Sequence, residues 1–240
     1  MFLASSFALL ALAVSPHPAP LPALAAVQTP VKMEDLFPPP KEGLTITVDR
    51  NSDKTMKLDA VVEEFSRVTG IAIQAPKDTQ STLRAVPTGL NRTVVVPPSE
   101  VYRIFETLLI ANDFVLVHLS DAEPRIWRIQ SLQGGPQVRQ DATFIRESEL
   151  ELWAKHPATL VTVSLSLAHT DVRTLSNSMR TMFTDANTQQ IIPIGSNSLI
   201  VTGFAPNVAA IARLLHAVDD LERARASGND ANTKPVPTAK

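Results

Sequence analysis

Residues 161–183 read VTVSLSLAHTDVRTLSNSMRTMF, and residues 191–220 read IIPIGSNSLIVTGFAPNVAAIARLLHAVDD. In the first stretch, apolar residues alternate with Thr162, Ser164 and Ser166, which predicts one strand with a buried face and a solvated face. Thr170 then stands where a helix N-cap is expected, ahead of an apolar stripe with helical spacing. The strand's apolar residues are Val161, Val163, Leu165 and Leu167, and the stripe consists of Val172, Leu175, Met179, Met182 and Phe183.

The second stretch predicts a hairpin followed by a helix. Strands over 190–194 and 199–202 flank the tight turn Gly195-Ser196-Asn197, in which Gly195 and Asn197 are expected to adopt positive φ. Pro206 marks the first turn of the helix. The result is a strand–helix–strand–strand–helix unit, a three-stranded sheet covered on one side by two helices. The stripe of the second helix is Val208, Ile211, Ala212, Leu215 and Val218.

The preceding part of the chain predicts another small α+β unit. A strand over 44–48 precedes a helix that Gly70 ends as a left-handed C-cap, and further strands follow at 71–73 and 93–96. A second helix begins after Pro97-Pro98, and a hairpin closes the unit over 114–132. The predicted fold class is therefore α+β with two small domains. The first helix's stripe is Leu58, Val61, Val62, Phe65 and Val68, and the second's is Val101, Ile104, Phe105, Leu108 and Leu109.

The N-terminus is predicted to be an export signal. The first 31 residues contain no charged side chain, an apolar run extends from Phe2 to Val14, and Ala23-Leu24-Ala25 forms an A-x-A cleavage pattern. We therefore expect an exported, periplasmic protein that can associate with an outer-membrane complex. The predicted organisation is a signal peptide (1–25), a Pro-rich linker (26–42), the first domain (43–133), a linker with a short helix (134–157), the second domain (158–223) and a disordered tail (224–240).

Composition and motifs argue against catalysis, cofactors and metals. The chain has no cysteine, which excludes disulfides, thiolate metal sites and a catalytic thiol. Its five histidines are scattered without metal-ligand spacing, and its adjacent carboxylates, such as Asp219-Asp220, diverge on a helix and indicate a solvated face. No nucleotide-binding or nucleophile motif is present. We predict a protein that is not an enzyme and has no cofactor.

Several of these motifs resemble secretins, the ring-forming outer-membrane channels of type II secretion, type III secretion and type IV pili. The second unit is similar to their short KH-like N-terminal domain, and the first is more weakly similar to the preceding domain, which TonB-dependent receptors share. The resemblance covers about 44–219 and does not include the pore domain. The matching residues are Val163, Leu165 and Ala168; the hairpin 197–203; Pro206, Asn207, Val208 and Ile211; Leu214, Leu215, Val218 and Asp219; and the helix 58–71.

The resemblance implies a non-catalytic secretin-like subunit or companion that assembles or docks in a type II or type IV pilus-like machinery. Its partners would be secretin-like subunits or secretion-system proteins, with weak homo-oligomers and indirect membrane association. Thr162, Ser164 and Ser166 are the candidate interface, and Gly195, Asn197 and Gly203 form the fold-signature turn. The alternative is a stand-alone periplasmic module that binds peptides or ligands or acts in signalling. Nucleic-acid binding is not expected, because the loop 184–188 lacks the glycines of a KH clamp and net charge is −2.

Overall fold

A computed structural model describes residues 36–48, 56–120, 123–134 and 138–230. The predicted signal peptide and the last ten residues lie outside the described residues. All of these described residues belong to one compact unit. In the part of the chain that is described, no helix combines the length and apolar character needed to cross a membrane.

The described residues form nine β-strands and six α-helices, which confirms the α+β class. The strands are β1 Leu44–Ile46, β2 Ala72–Gln74, β3 Val94–Val96, β4 Phe114–Ser120, β5 Ile126–Ser131, β6 Thr143–Ile145, β7 Leu160–Ser166, β8 Gln190–Ile194 and β9 Ser198–Phe204. The helices are α1 Leu58–Thr69, α2 Lys77–Ala85, α3 Val101–Ala111, α4 Leu150–Trp153, α5 Val172–Met179 and α6 Ala205–Asp230.

The C-terminal half contains the predicted order β7–α5–β8–β9–α6 around a sheet with strand order β6-β7-β9-β8. Strand β7 pairs antiparallel with β9, and β9 pairs antiparallel with β8. The sheet therefore holds the three predicted strands and also β6, which runs parallel to β7. Strand β6 comes from the segment 134–157 predicted as a linker, where three residues are too few to show alternation. The short helix expected in that linker is α4, and its Trp153 is buried.

Helices α5 and α6 cover one face of this sheet, as predicted. Val161, Val163 and Leu165 alternate inward along β7 and are fully buried together with apolar residues of both helices. Leu215 of α6 belongs to this core and has no exposed surface. Helix α4 packs against α6 from outside the sheet. The burial of this one face leaves the opposite face of the sheet for other contacts.

The N-terminal half has two small sheets. Strands β1 and β3 pair antiparallel, while β2 runs parallel to β5 and β4 runs antiparallel to β5. Gly70 ends α1 at φ 78°, and its N–H donates to Ser66 O at 2.8 Å, which confirms the predicted left-handed cap. Helix α2 was not predicted, because only Thr79 and Leu83 of its nine residues are buried and its apolar stripe is too thin to detect.

The two halves share one hydrophobic core. The N–H of Leu116 in β4 donates to Ala158 O at 2.9 Å, and Leu116 forms a parallel bridge with Thr159 just before β7. The carboxylate of Glu106 on α3 is fully buried, accepts from Ala158 N at 2.9 Å and contacts His156 Nδ1 at 2.7 Å. These contacts join the segments predicted as domains 43–133 and 158–223.

Two predicted boundaries differ from the structure. Within the predicted linker 26–42, Leu36 and Phe37 are buried in the core, because an aromatic pocket receives Phe37. Within the predicted disordered tail, α6 continues to Asp230. Ala224, Arg225 and Ala226 at the start of this extension are good helix formers, and the i,i+3 ion pairs Asp220–Arg223 and Glu222–Arg225 lie in the helical turns where it begins.

Leu215→Ala should lower the free energy of unfolding by ~2–5 kcal/mol, because it opens a cavity beneath the sheet. The matched control is its neighbour Leu214, which is 47% exposed, so Leu214→Ala should change stability by no more than about 0.5 kcal/mol. Chemical denaturation of both variants measures the difference. Equal midpoints for the two variants would contradict the placement of this core.

Tyr102 should ionise well above its ordinary range in the folded chain. Burial raises the pKa of its phenol, Arg125 opposes the rise and Glu106 adds to it. Because the folded state favours the neutral phenol, this contribution to stability is complete below the unfolded pKa of about 10 and is lost as pH rises beyond it. The chain has a single tyrosine, so phenolate absorbance reports Tyr102 directly.

As the pH is raised above about 10, the denaturant concentration at the midpoint of unfolding should decrease. In Tyr102→Phe, the absorbance change should disappear and the decline with pH should be smaller. Ionisation near pH 10 with the fold intact would contradict the expectation.

Candidate protein-interaction face

One face of the four-stranded sheet faces away from α5 and α6, and we call it the open face. Strand register defines it, since paired residues lie on the same side of a sheet. Thr162 pairs with Phe144 on one side and Thr202 on the other, and Ile200 pairs with both Ser164 and Ile192. The open face consists of Phe144, Thr162, Ser164, Ser166, Gln190, Ile192, Ile194, Ser198, Ile200 and Thr202.

The predicted interface residues Thr162, Ser164 and Ser166 lie together on the open face. Ser164 and Ser166 are exposed and Thr162 is half-buried, with its Oγ1 2.9 Å from Thr202 Oγ1. This hydroxyl contact satisfies both threonines within the sheet. The serines therefore offer small polar side chains to a partner, and their role in an interface remains a prediction.

The open face also carries exposed apolar side chains that sequence reasoning missed. Ile192 and Ile194 are 39% and 47% exposed on β8, beside the half-buried Ile200, and Phe144 is 68% exposed on β6. A signal existed for β8, because Ile192 and Ile194 alternate in the stretch IIPI. For Phe144 the three-residue strand gave no pattern. The isoleucines form an apolar patch next to a polar strand.

None of the ten residues of the open face is charged. Interface cores are likewise depleted of charge, since burying an unpaired ion is costly. A partner that covers this face desolvates hydroxyls, amides and hydrocarbon only. The arrangement therefore suits protein–protein contact and offers no group for acid–base chemistry.

One end of the open face is closed by the chain itself. Leu160 and Phe204 continue the face beyond Thr162 and Thr202, and they pack with Val138 and its neighbours in a small second cluster. The 3₁₀ turn Val138–Asp141 is held there because Arg139 donates from its N–H to Asn187 O at 3.2 Å. Three rows of side chains follow, and in the first of them Thr202 is buried and Thr162 half-buried, whereas Phe144 is exposed.

Strand β8 lies at the edge of the sheet but contains Pro193. Proline has no N–H, and prolines in edge strands impair the addition of another strand. A sheet covered on one side exposes both its other face and its edges as contact surfaces. The structure favours the face, because the exposed isoleucines flank Pro193 and project from that side.

The β8–β9 turn behaves as predicted at Gly195 and not at Asn197. Gly195 has φ 64°, whereas among the described residues Asp113 is the one non-glycine with positive φ, so Asn197 does not have the expected conformation. Instead, Asn197 O accepts from Leu167 N at 2.7 Å, which fixes the turn beside the β7–α5 loop. At Gly203 an added Cβ would lie 3.2 Å from Val208 Cγ2, so glycine there permits β9 to pass close to α6.

Asp219 was predicted to lie on a solvated face, and the structure gives it a structural role. Its carboxylate accepts from Ala168 N at 3.0 Å, His169 N at 2.8 Å and Thr170 Oγ1 at 2.8 Å, so α6 holds the loop that leads into α5. Burial raises the pKa of Asp219, but these hydrogen bonds outweigh burial and hold it below its usual value. The predicted cap Thr170 thus donates to Asp219, while Asp171 caps α5 by accepting from Arg173 N.

The part of the chain that the structure describes contains no group of three or more histidine or acidic side chains arranged to hold a metal ion. His156 is buried against Glu106, and His216 contacts Glu147 on the surface. His118 packs flat against Trp127, with ring centroids 4.5 Å apart. His17 lies outside the described residues. His169 is exposed, and its backbone N–H donates to Asp219.

Comparison with known proteins gives likeness to solved structures, while no family model and no curated protein matches. A chain of the Klebsiella pneumoniae type II secretion system outer membrane complex, with PulD, PulS and the PulC HR domain, is 14% identical, with TM-score 0.47, covering 68% of this chain and 26% of that one. The enterotoxigenic Escherichia coli GspC–GspD complex is 14% identical, with TM-score 0.24 and coverage of 74% and 99%. The N-terminal domain of the Pseudomonas aeruginosa secretin XcpQ is 16% identical, with TM-score 0.24 and coverage of 77% and 67%.

Asp219→Asn should destabilise the chain at neutral pH by about 1 kcal/mol, because the charge that strengthens three hydrogen bonds is lost. The carboxylate's contribution is present above its unfolded pKa of about 3.9 and is lost as pH falls through the lower folded value. The difference in the free energy of unfolding between wild type and Asp219→Asn should therefore become smaller below about pH 4. Denaturation midpoints between pH 7 and pH 3 measure it.

The control is Asp220→Asn, whose carboxylate is exposed and has only a 3.7 Å ion pair with Arg223. It should leave the midpoint at neutral pH nearly unchanged. Equal effects of the two substitutions would show that Asp219 does not anchor the loop.

Proposed function

We propose that this protein is a non-catalytic, exported, secretin-like subunit or companion that assembles or docks in a type II or type IV pilus-like secretion machinery. The observation that carries the proposal is the open face, where exposed Ile192 and Ile194 lie beside small hydroxyl side chains and no charge. The secretin-like motifs in the sequence support the choice of machinery. The uncharged N-terminal 31 residues support export to the periplasm.

The dimensions of the open face imply weak individual contacts. Ten residue positions, each occupying about 4.8 Å across the strands by about 6.8 Å along them, give a patch of about 330 Å² before side-chain relief is counted. Stable interfaces bury about 800 Å² on each partner. A contact through this face is therefore reversible, and the protein is monomeric when dilute. Concentration, or a partner with several binding positions, brings copies together as arcs or rings.

The proposal is tested with Ile192→Lys/Ile194→Lys, which places two charges on the open face without touching the buried side of β8. Binding to a pore-bearing secretin subunit, and assembly into species larger than a dimer, should weaken at least tenfold. Val95→Lys is the matched control, because Val95 is 75% exposed on β3, outside the open face. Sedimentation across a concentration series, with and without the pore-bearing subunit, measures both effects.

Two results would overturn the proposal. The first is unchanged assembly in the double variant while its thermal stability matches that of wild type. The second is a wild-type chain that forms no species larger than a dimer in any mixture. This second result favours the alternative, a stand-alone periplasmic module that binds peptides or ligands.

A further inference from the structure

Phe37 lies in a pocket of aromatic rings. Its ring stacks on the imidazole of His156, with centroids 3.5 Å apart and planes 19° from parallel. Four further rings meet it edge-on at centroid distances of 5.4–5.5 Å, and Phe37 itself is only 9% exposed. These four rings are Tyr102, His118, Trp127 and Trp153.

The walls of this pocket come from both halves of the molecule. Tyr102 and Trp127 belong to α3 and β5, whereas Trp153 and His156 belong to α4 and the loop after it. Trp127 and Trp153 are buried, and His156 is fixed by Glu106. The pocket is therefore built by residues that the fold already holds in place, and Phe37 is the one part of it that arrives from outside.

Besides Phe37, the segment 36–42 is attached by the buried side chain of Leu36 and by an ion pair between Glu42 and Arg67. Pro38, Pro39 and Pro40 follow it and have no N–H to donate. Between residues 36 and 43, described backbone contacts to the rest of the fold are those of Pro38 O, which accepts from Tyr102 Oη at 2.7 Å, and Lys41 N, which donates to Val68 O at 2.9 Å. One aromatic side chain and one hydrogen bond hold residues 37–40, as in a bound peptide.

We propose that this pocket is a binding site for a phenylalanine followed by prolines, and that its second occupant is the same segment of another copy, exchanged between two chains. Exchange of identical elements preserves every contact and so costs little. Three prolines span about 9 Å in an extended conformation, at about 3.1 Å per residue. Lys41 and Glu42 are exposed after them, where the segment can turn towards a second chain.

This inference is independent of the open face. Reciprocal exchange closes a dimer with two-fold symmetry and goes no further, whereas contacts through the open face continue into larger assemblies. The two kinds of association therefore differ in size and in the residues that abolish them. Because the segment in its own chain has a high effective concentration, the closed monomer prevails in dilute solution.

The pocket can be monitored by intrinsic fluorescence, because the two tryptophans of the chain, Trp127 and Trp153, both line it. In full-length Phe37→Ala, we expect the synthetic peptide LFPPPKE, residues 36–42, to shift the tryptophan emission and raise the melting temperature. The peptide with alanine in place of phenylalanine should bind at least tenfold more weakly. Wild type should bind LFPPPKE at least tenfold more weakly than Phe37→Ala, since its pocket is filled.

Phe37→Leu provides a second variant if Phe37→Ala fails to fold, because leucine keeps the pocket apolar but loses the ring stacking. It should also bind LFPPPKE at least tenfold more tightly than wild type does. A folded variant of either kind whose tryptophan emission and melting temperature do not respond to the peptide would overturn the binding site.

Exchange between copies is tested in the Ile192→Lys/Ile194→Lys background, where the open face is disabled. This variant should still form dimers at high concentration, as seen by native mass spectrometry, and excess LFPPPKE should dissociate them. Adding Phe37→Ala to it should abolish the dimer, whereas adding Phe144→Ala, an exposed phenylalanine on β6, should not. A strict monomer at every concentration, or a dimer that survives Phe37→Ala, would overturn the exchange and leave the proposed function untouched.

Discussion

The buried carboxylate of Glu106 is the contact on which the arrangement of the molecule depends. A fully buried carboxylate is costly unless each oxygen has a partner. Here one oxygen contacts His156 Nδ1 and the other accepts from Ala158 N, so both of its partners come from the other half of the chain. The same contacts fix the imidazole on which Phe37 stacks. One side chain on α3 thus sets the position of β7 and the shape of the aromatic pocket.

The position of β7 in turn decides which face of the C-terminal sheet is available. The bridge between Leu116 and Thr159 places the start of β7 beside β4. The Val138 cluster then covers the open face only at the Leu160 end. Beyond that end, hydroxyl side chains alternate with the buried valines and leucines of β7. Because the two halves share one core, the part of the open face that stays exposed is small and uncharged, and its exposed isoleucines lie on β8 at one side.

Most of the regular structure was predictable because it is encoded locally. The alternation from Val161 to Leu167 and the stripe ending in Val218 each report burial on one side, and the structure has those elements in the predicted order. Gly70 and Gly195 were predictable because a left-handed conformation favours glycine. Local patterns gave no such information for α2 and β6, which are either weakly buried or only three residues long.

The parts that could not be predicted depend on contacts between distant residues. Nothing around Phe37 indicates burial, since three prolines follow it and the charged residues Lys32, Glu34 and Asp35 precede it, a pattern that predicts a linker. Its pocket forms only when residues 102–156 come together. Asp219 has the appearance of a solvated helix residue, and its role follows from the loop 168–170, 49 to 51 positions earlier. For the interface, the polar side chains were predictable from β7 alone, whereas Ile200 and Phe144 join them only through strand register.

Weak contacts and a closed pocket have different consequences for assembly. A patch of about 330 Å² gives little affinity alone. When several copies are held by one partner, however, each further contact becomes intramolecular, and avidity can exceed a single affinity by about 10²–10⁴-fold. Such assembly responds steeply to concentration and tolerates loss of one contact.

The Phe37 segment behaves differently, because its contacts are the same within one chain and between two. Its exchange therefore links two copies without creating new contact area. Because the pocket binds the segment equally tightly in the monomer and in the dimer, the affinity of the pocket does not affect the equilibrium between them. What remains is the entropy of joining two chains and the contacts of the residues that follow the prolines, namely the hydrogen bond from Lys41 N to Val68 O and the ion pair between Glu42 and Arg67. Substitution of Glu42 would therefore shift dimerisation while leaving the affinity of the pocket for a free peptide unchanged.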